Sequence, residues 1–384
     1  MICLWSKNGL RAGLRHRRSS WPRMAEFLQY CARWSLFYVG GAFELAGNAC
    51  GNVANLLCER KQDTSRYKSA NGKVCVVTGA NAGVGLSTAK LLAKRGGHVI
   101  LACRSKERGQ KAAELVKSVT PLQGCCPPKV EVMQLDLASL KSVKKFCRNF
   151  DGRRLHLDLL VCNAGVMKLP QRTITEDGVE AQFQVNYLGH WLLTNCLLQD
   201  QLKLHKASRS PTSRRVVFVS STAHKPGRID FSDTNAEKGY DSMQRYSDSK
   251  LANVLAAREF QRRFDRNYNN FGSHTAVSVH PGLLHTELAC GYFKGLVPKP
   301  LRCFTDPLMQ HVVLPLALRP AEFGGESVLY AALAPDAEVR GEYVGHGKIL
   351  KAAMPKDRNE EVVAQRLWSL SEKLTGYRPL KELS

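Results

Sequence analysis

Short apolar runs alternate with longer amphipathic stretches from residue 74 to residue 280, and this alternation defines the elements. Runs rich in Val, Ile and Leu over 74–77, 98–102, 130–135, 157–161, 215–219 and 275–279 predict strands. Near-continuous apolar runs of this length suit strands buried on both faces, as in a parallel sheet. Residues 86–95, 106–119, 140–150, 179–204 and 246–264 are the predicted helices between them. A β-α-β-α order with short connections implies one doubly wound α/β domain, a parallel sheet flanked by helices on both faces. That domain takes in residues 71–350. In the tail, 351–384, residues 357–374 predict an amphipathic packing helix.

The N-terminal part has a different texture. Residues 1–25 hold Lys7, Arg11, Arg15, Arg17, Arg18 and Arg23 and no acid, a composition shared by mitochondrial presequences and by the basic flanks of membrane anchors. Met24 follows Arg23 directly and is an alternative start. From residue 34 to residue 57 the only charge is Glu44, yet Asn48, Asn52, Asn55 and the glycines make a full span costly in hydrocarbon. Residues 1–70 therefore read as a basic leader and an anchor-like segment, either shallowly inserted or an amphipathic helix packed on the domain.

Composition narrows the partners. The net charge is +23, of which residues 1–70 supply 11 Lys+Arg against 4 Asp+Glu. No basic run is interleaved with stacking aromatics, so nucleic acid is not the expected partner and a membrane surface fits better. Thirteen cysteines without a C-x-x-C pair argue for reduced thiols on the cytosolic side of a membrane, and against a disulfide framework or a metal site.

In such sheets a ligand lies outside the carboxyl ends of the strands, so the strand ends are where chemistry is sought. The first is followed by Thr78, Gly79, Asn81, Ala82, Gly83, Val84 and Gly85, a glycine-rich turn into a helix whose first N–H groups make a phosphate site. The second is followed by Arg104, with no acid before Glu107. A basic residue there accommodates a ribose 2′-phosphate, where an acid would accept the 2′-hydroxyl. NADP(H) is thus preferred and NAD(H) is the alternative; Arg104 as a solvated helix-start residue is the plainer reading. The third is followed by Asp136 and Leu137, with Asp136 placed to bind an adenine amino group or to cap the next helix. Asn163, Ala164 and Gly165 follow the fourth, small residues that let backbone approach a cofactor.

The fifth strand leads into Ser220 and Ser221, and Tyr246 and Lys250 lie further on, spaced i and i+4 on one helix face. A phenol of pKa ~10 is a poor base at neutral pH. A nearby ammonium, together with a cationic nicotinamide, stabilises the phenolate and brings it towards the working range. Tyr246 could then donate or accept a proton at a carbonyl or alcohol oxygen.

Taken together, the T-G-x-x-x-G-x-G of Thr78 to Gly85, the N-A-G of Asn163 to Gly165, Asn186, Ser221, Tyr246, Lys250 and Pro281-Gly282 resemble the short-chain dehydrogenase/reductase family. The texture of Asn186 to His190, Ser220 to His224 and His280 to Gly282 is similar to its retinol dehydrogenase-like branch. The resemblance implies a Rossmann-type fold and hydride transfer with a lipophilic alcohol or carbonyl of retinoid, steroid or polyprenoid type. It implies Tyr246 as general acid/base, Lys250 on the phenol and the nicotinamide ribose, Ser221 on the substrate oxygen and Asn186 in a proton relay. It also implies Pro281, Gly282 and Thr286 at the nicotinamide carboxamide. Such relatives point to the endoplasmic reticulum membrane with the domain towards the cytosol, the mitochondrion being the alternative. A second copy of the chain is a further expected partner. Two departures stand out: Cys162 where many relatives have Asn, and a long gap from Ser221 to Tyr246 that must fold away from the site. Residues 283–320, with many apolar side chains, read either as a substrate lid or as a loop packed on the core or on a partner subunit. The alternative function is a catalytically weak cofactor-binding or membrane scaffold protein of the same fold.

Overall fold

The computed structural model describes residues 67, 69–167, 169–208, 213–267, 273–284, 318–354 and 359–379. The basic leader, the 34–57 segment, Thr286 and most of the expected lid lie outside the described residues. Among those described, no helix is long and apolar enough to cross a membrane.

In chain order the elements are β1 (Val74–Thr78), α1 (Gly83–Lys94), β2 (His98–Cys103), α2 (Lys106–Lys117), β3 (Lys129–Gln134), α3 (Leu140–Asp151) and β4 (Leu157–Cys162). A short α turn (Ala181–Phe183) and a π-helical turn (Gln184–Leu188) lead into α4 (Gly189–Ser208). Then come β5 (Arg214–Val219), α5 (Ser242–Asn267), β6 (His274–His280), α6 (Ala321–Leu333), α7 (Asp336–Val339), β7 (Tyr343–Gly345), β8 (Lys348–Leu350) and α8 (Glu360–Thr375). The strand order is β3-β2-β1-β4-β5-β6-β7-β8, all parallel except the edge strand β8. The order reverses between β1 and β4, and that switch opens a crevice at the carboxyl edge.

Every residue of β1, β2, β5 and β6 is buried. Alternation sends Val74 and Val76 to one face and Cys75 and Val77 to the other. The first face packs on α3, α4, α5 and α8 around Trp191, Phe218, Phe260 and Trp368. The second packs on α1, α2 and α6. Here α6 lies against α1 with no room for side chains: a Cβ on Gly325 would stand 2.2 Å from Ser87 Oγ, and one on Gly324 would stand 3.1 Å from Val84 Cγ2.

The predicted helix over 179–204 is present but broken at its start by the π turn, and the β7–β8 hairpin was not expected. All seven described cysteines are free. Burial pushes the Cys75 and Cys162 thiols up to about 12, which keeps them unreactive.

Candidate active site

The glycine turn after β1 is built by interlock with the end of β4. Gly79 and Gly83 hold left-handed φ values of 65° and 54°, conformations that cost a side-chain-bearing residue free energy. A Cβ on Gly85 would stand 2.5 Å from both Asn163 Nδ2 and Gly79 O. Asn163 Nδ2 donates to Thr78 O (2.9 Å), and the Asn163 and Ala164 amides donate to Thr78 Oγ1 (2.9 and 3.0 Å). α1 then starts at an Ala82 N-cap with no side-chain cap and no acid in its first turn. Its first N–H groups thus lack side-chain partners and face the crevice at the positive end of the helix, which fits a dinucleotide diphosphate. Asn81 and Ala80 turn their amides to the Cys103 thiol at the end of β2.

Arg104 is exposed immediately beyond β2, next to the Ser105 N-cap of α2. Beyond β3, Asp136 Oδ1 accepts from the Ala138 amide (3.0 Å), while Ser139 caps α3. Asp136 therefore shapes the turn and leaves the cap to its neighbour. Leu137 lies under α4, its carbonyl 2.8 Å from where a Gly189 Cβ would stand.

On the other side of the switch point, four predicted residues converge. Asn186 sits inside the π turn, a feature frequent at functional sites. It is buried, and its Oδ1 accepts from the Val166 amide (2.7 Å) while Nδ2 donates to Val166 O and Ser249 Oγ (2.9 Å each). Lys250 Nζ donates to Val219 O at the end of β5 (3.0 Å) and stands 5.6 Å from the Tyr246 ring centroid. A Cβ on the exposed Gly165 would stand 3.2 Å from Asn186 Oδ1 and 3.6 Å from Lys250 Nζ, so glycine keeps this corner open. Ser221 interacts with the Tyr246 hydroxyl, whereas Ser220 Oγ donates to Lys250 O (2.7 Å). Ser221, not Ser220, faces the phenol. The 222–245 segment is pinned away from the crevice: the Arg228 amide donates to Asp248 Oδ1 (2.7 Å), and Gly227 packs on Ser247 O. Pro281 and Gly282 follow β6 at the same edge, with Gly282 at φ 100°.

Burial dominates the electrostatics of the pair. Burial pushes the Tyr246 phenol up to about 12, with Ser221 pulling it back, and burial pushes Lys250 down to about 8. In this setting the phenol is protonated and Lys250 charged at neutral pH.

Several supporting residues were not anticipated. Ser249 joins Asn186 to the tyrosine helix, its Oγ donating to Tyr246 O (2.7 Å). His190 is fully buried, and burial pushes it down to about 4. The neutral ring donates from Nδ1 to Asn186 O (3.0 Å), so Nε2 accepts from Thr78 Oγ1 (2.8 Å). This imidazole ties the carbonyl in the π turn to the threonine that holds the N-A-G segment. In the sequence it appears as the last residue of the Asn186 to His190 run, with nothing to show its partners.

The sequence profile described as short chain dehydrogenase matches residues 73–294. The chain belongs to this family. Mouse retinol dehydrogenase 13 is 42% identical over 335 residues, covering 86% of this chain and 88% of its own. Mouse retinol dehydrogenase 14 is 37% identical over 345 residues, covering 88% and 95%. Human retinol dehydrogenase 13 is 40% identical over 309 residues, covering 79% and 85%. Among solved structures, an uncharacterized protein from Mycobacterium paratuberculosis superposes with a TM-score of 0.61 at 33% identity, covering 82% of this chain and 98% of that one. As a short-chain dehydrogenase, the protein is an oxidoreductase acting on CH-OH groups, in a family that uses NAD(P)(H).

Proposed function

We propose that the protein is an NADP(H)-dependent oxidoreductase acting on a lipophilic alcohol or carbonyl of the retinoid, steroid or polyprenoid class. The observation that carries this reading is the convergence of Asn186, Ser221, Tyr246 and Lys250 beside an uncapped helix N-terminus. The names of the retinol dehydrogenase relatives support the substrate class. When bound, the dinucleotide supplies or takes the hydride. Tyr246, protonated in its buried setting, gives a proton to the substrate oxygen that Ser221 polarises. Lys250, charged below pH about 8, binds the nicotinamide ribose and favours the phenolate left behind. Asn186 supports the water through which the phenol is reprotonated. Thr78 to Gly85 and Asn163 to Gly165 hold the diphosphate and its riboses, Asp136 and Leu137 the adenine, and Pro281, Gly282 and Thr286 the carboxamide. NADPH as the cellular donor makes carbonyl reduction the working direction.

The test is NADPH consumption by purified protein over a panel of retinoid, steroid and polyprenoid carbonyls. Turnover on at least one class is expected; NADPH binding without turnover on any would sink the lipophilic reading. Replacing Arg104 by Ala is expected to weaken NADPH about tenfold, the scale of one charge-assisted phosphate contact, and to leave NADH unchanged. Titration of both cofactors reads this out, and equal effects on the two would remove Arg104 from the 2′-phosphate.

Residues 1–70 are proposed to hold the domain on a membrane, at the endoplasmic reticulum with the domain facing the cytosol or, alternatively, at the mitochondrion. The full chain is expected to sediment with membranes and a chain lacking residues 1–70 to stay in the supernatant. A soluble full chain would rule the anchor out.

A further inference from the structure

β7 and β8 pair with Gly345 opposite Lys348, leaving His346 and Gly347 as a two-residue loop. Their φ values of 53° and 70° mark a type I′ turn, where Asn-Gly, Asp-Gly or Gly-Gly is the favoured pair. Histidine tolerates the left-handed region better than most residues but is not the local optimum. A residue that departs from local preference often serves something beyond its own turn.

The side chain indicates what that is. Pairing of His280 with Gly345 sets the hairpin loop beside the start of the Pro281–Gly282 turn. His346 Cε1 lies 3.3 Å, and Nδ1 3.9 Å, from the point where a Cβ on Gly282 would stand. The His280 and His346 rings are perpendicular, their centroids 5.7 Å apart, and the Gly282 amide approaches His280 Nδ1 at 3.4 Å. Gly282 is thus held between two imidazoles, one from the strand and one from the hairpin. Elsewhere the hairpin braces the Ser221 turn: the Tyr343 ring lies 4.7 Å from the His224 ring, whose Nδ1 donates to Ser221 O (2.7 Å). The Ala353 amide, just past β8, donates to His224 Nε2 (3.1 Å). One hairpin therefore supports both sides of the crevice, the serine side through His224 and the Gly282 side through His346.

We infer that His346 is a positioning residue for the nicotinamide end of the crevice, fixing the Pro281–Gly282 turn against which that ring lies. This rests on the dinucleotide reading above. Because His346 acts through Gly282, its loss weakens ligands that carry a nicotinamide and spares those that do not.

The informative variant is His346→Asn, since Asn is favoured at this turn position and removes only the ring. Its melting temperature is expected to equal or exceed that of the parent. NADPH affinity is expected to fall about fivefold, roughly 1 kcal/mol. Affinity for 2′-phospho-ADP-ribose, which keeps the adenine, riboses and diphosphate but lacks the nicotinamide, is expected to be unchanged. Unchanged NADPH affinity would overturn the inference. Equal weakening of both ligands with a lowered melting temperature would also overturn it, making the ring plain packing. Failure of the unsubstituted protein to bind NADPH or NADH would defeat the dinucleotide reading itself, before any variant is compared.

Discussion

Replacing Tyr246 by Phe is expected to lower turnover about 10²- to 10⁴-fold while leaving NADPH affinity within about twofold. The substitution removes one oxygen and keeps the ring, which is 6% exposed on α5. Apart from its contact with Ser221, the neighbouring architecture does not depend on that oxygen. Lys250 Nζ remains on Val219 O, Asn186 remains on Val166 and Ser249, and Ser249 bonds the Tyr246 carbonyl, not its hydroxyl. What is lost is the proton that burial keeps on the phenol at neutral pH. Single-turnover rates at saturating NADPH, with a carbonyl identified by the panel, read the chemical step, and a binding titration reads the cofactor. Near-normal turnover would exclude Tyr246 as the acid; weakened NADPH binding would make it a structural residue.

Replacing Trp191 by Ala is expected to cost about 3–5 kcal/mol, the range for deleting a large buried aromatic. Trp191 is fully buried, edge-on to Trp368 at 5.1 Å and to Tyr377 at 6.5 Å. Trp368 in turn packs edge-on to Phe260 at 4.9 Å and carries the Arg263 guanidinium 3.9 Å above its ring. The void would open between α4 and the C-terminal helix α8. Thermal unfolding should show Tm lowered by on the order of 10 °C. A shift of a degree or two would mean that α8 contributes little to the fold.

The strands and the motifs at their ends were legible because a doubly wound sheet imposes two constraints on sequence. Central strands must be apolar on both faces, and ligand contacts must follow each run directly. Thr78, Asn163, Ser221 and Gly282 therefore appear in the sequence where the structure has them. The π turn around Asn186 was not legible, since residues 186–198 are buried on every side and leave no amphipathic period for an extra residue to shift. β7 and β8, three residues each, are too short for a pattern of period two to register. His190, Ser249 and His346 take their meaning from partners far away in the chain, as His190 does from Thr78 112 positions before it. The spacing of Tyr246 and Lys250 predicted their proximity but carried no measure of burial, which pushes the phenol up and the ammonium down.

The close seating of Gly324 and Gly325 on α1 has a bearing on how the protein is made. The helix that presents its N–H groups to the crevice is synthesised near the start of the domain, and the helix that backs it is made only after β6. Until α6 emerges, Val84 and Ser87 lack their glycine neighbours, and α1 rests on the sheet and α2 without its third neighbour. The nascent chain therefore carries its glycine turn and the Asn163–Gly165 interlock before the helix that backs them is made. A message truncated before Ala321 would encode every glycine of that motif and its lock to β4, but not the helix that backs it.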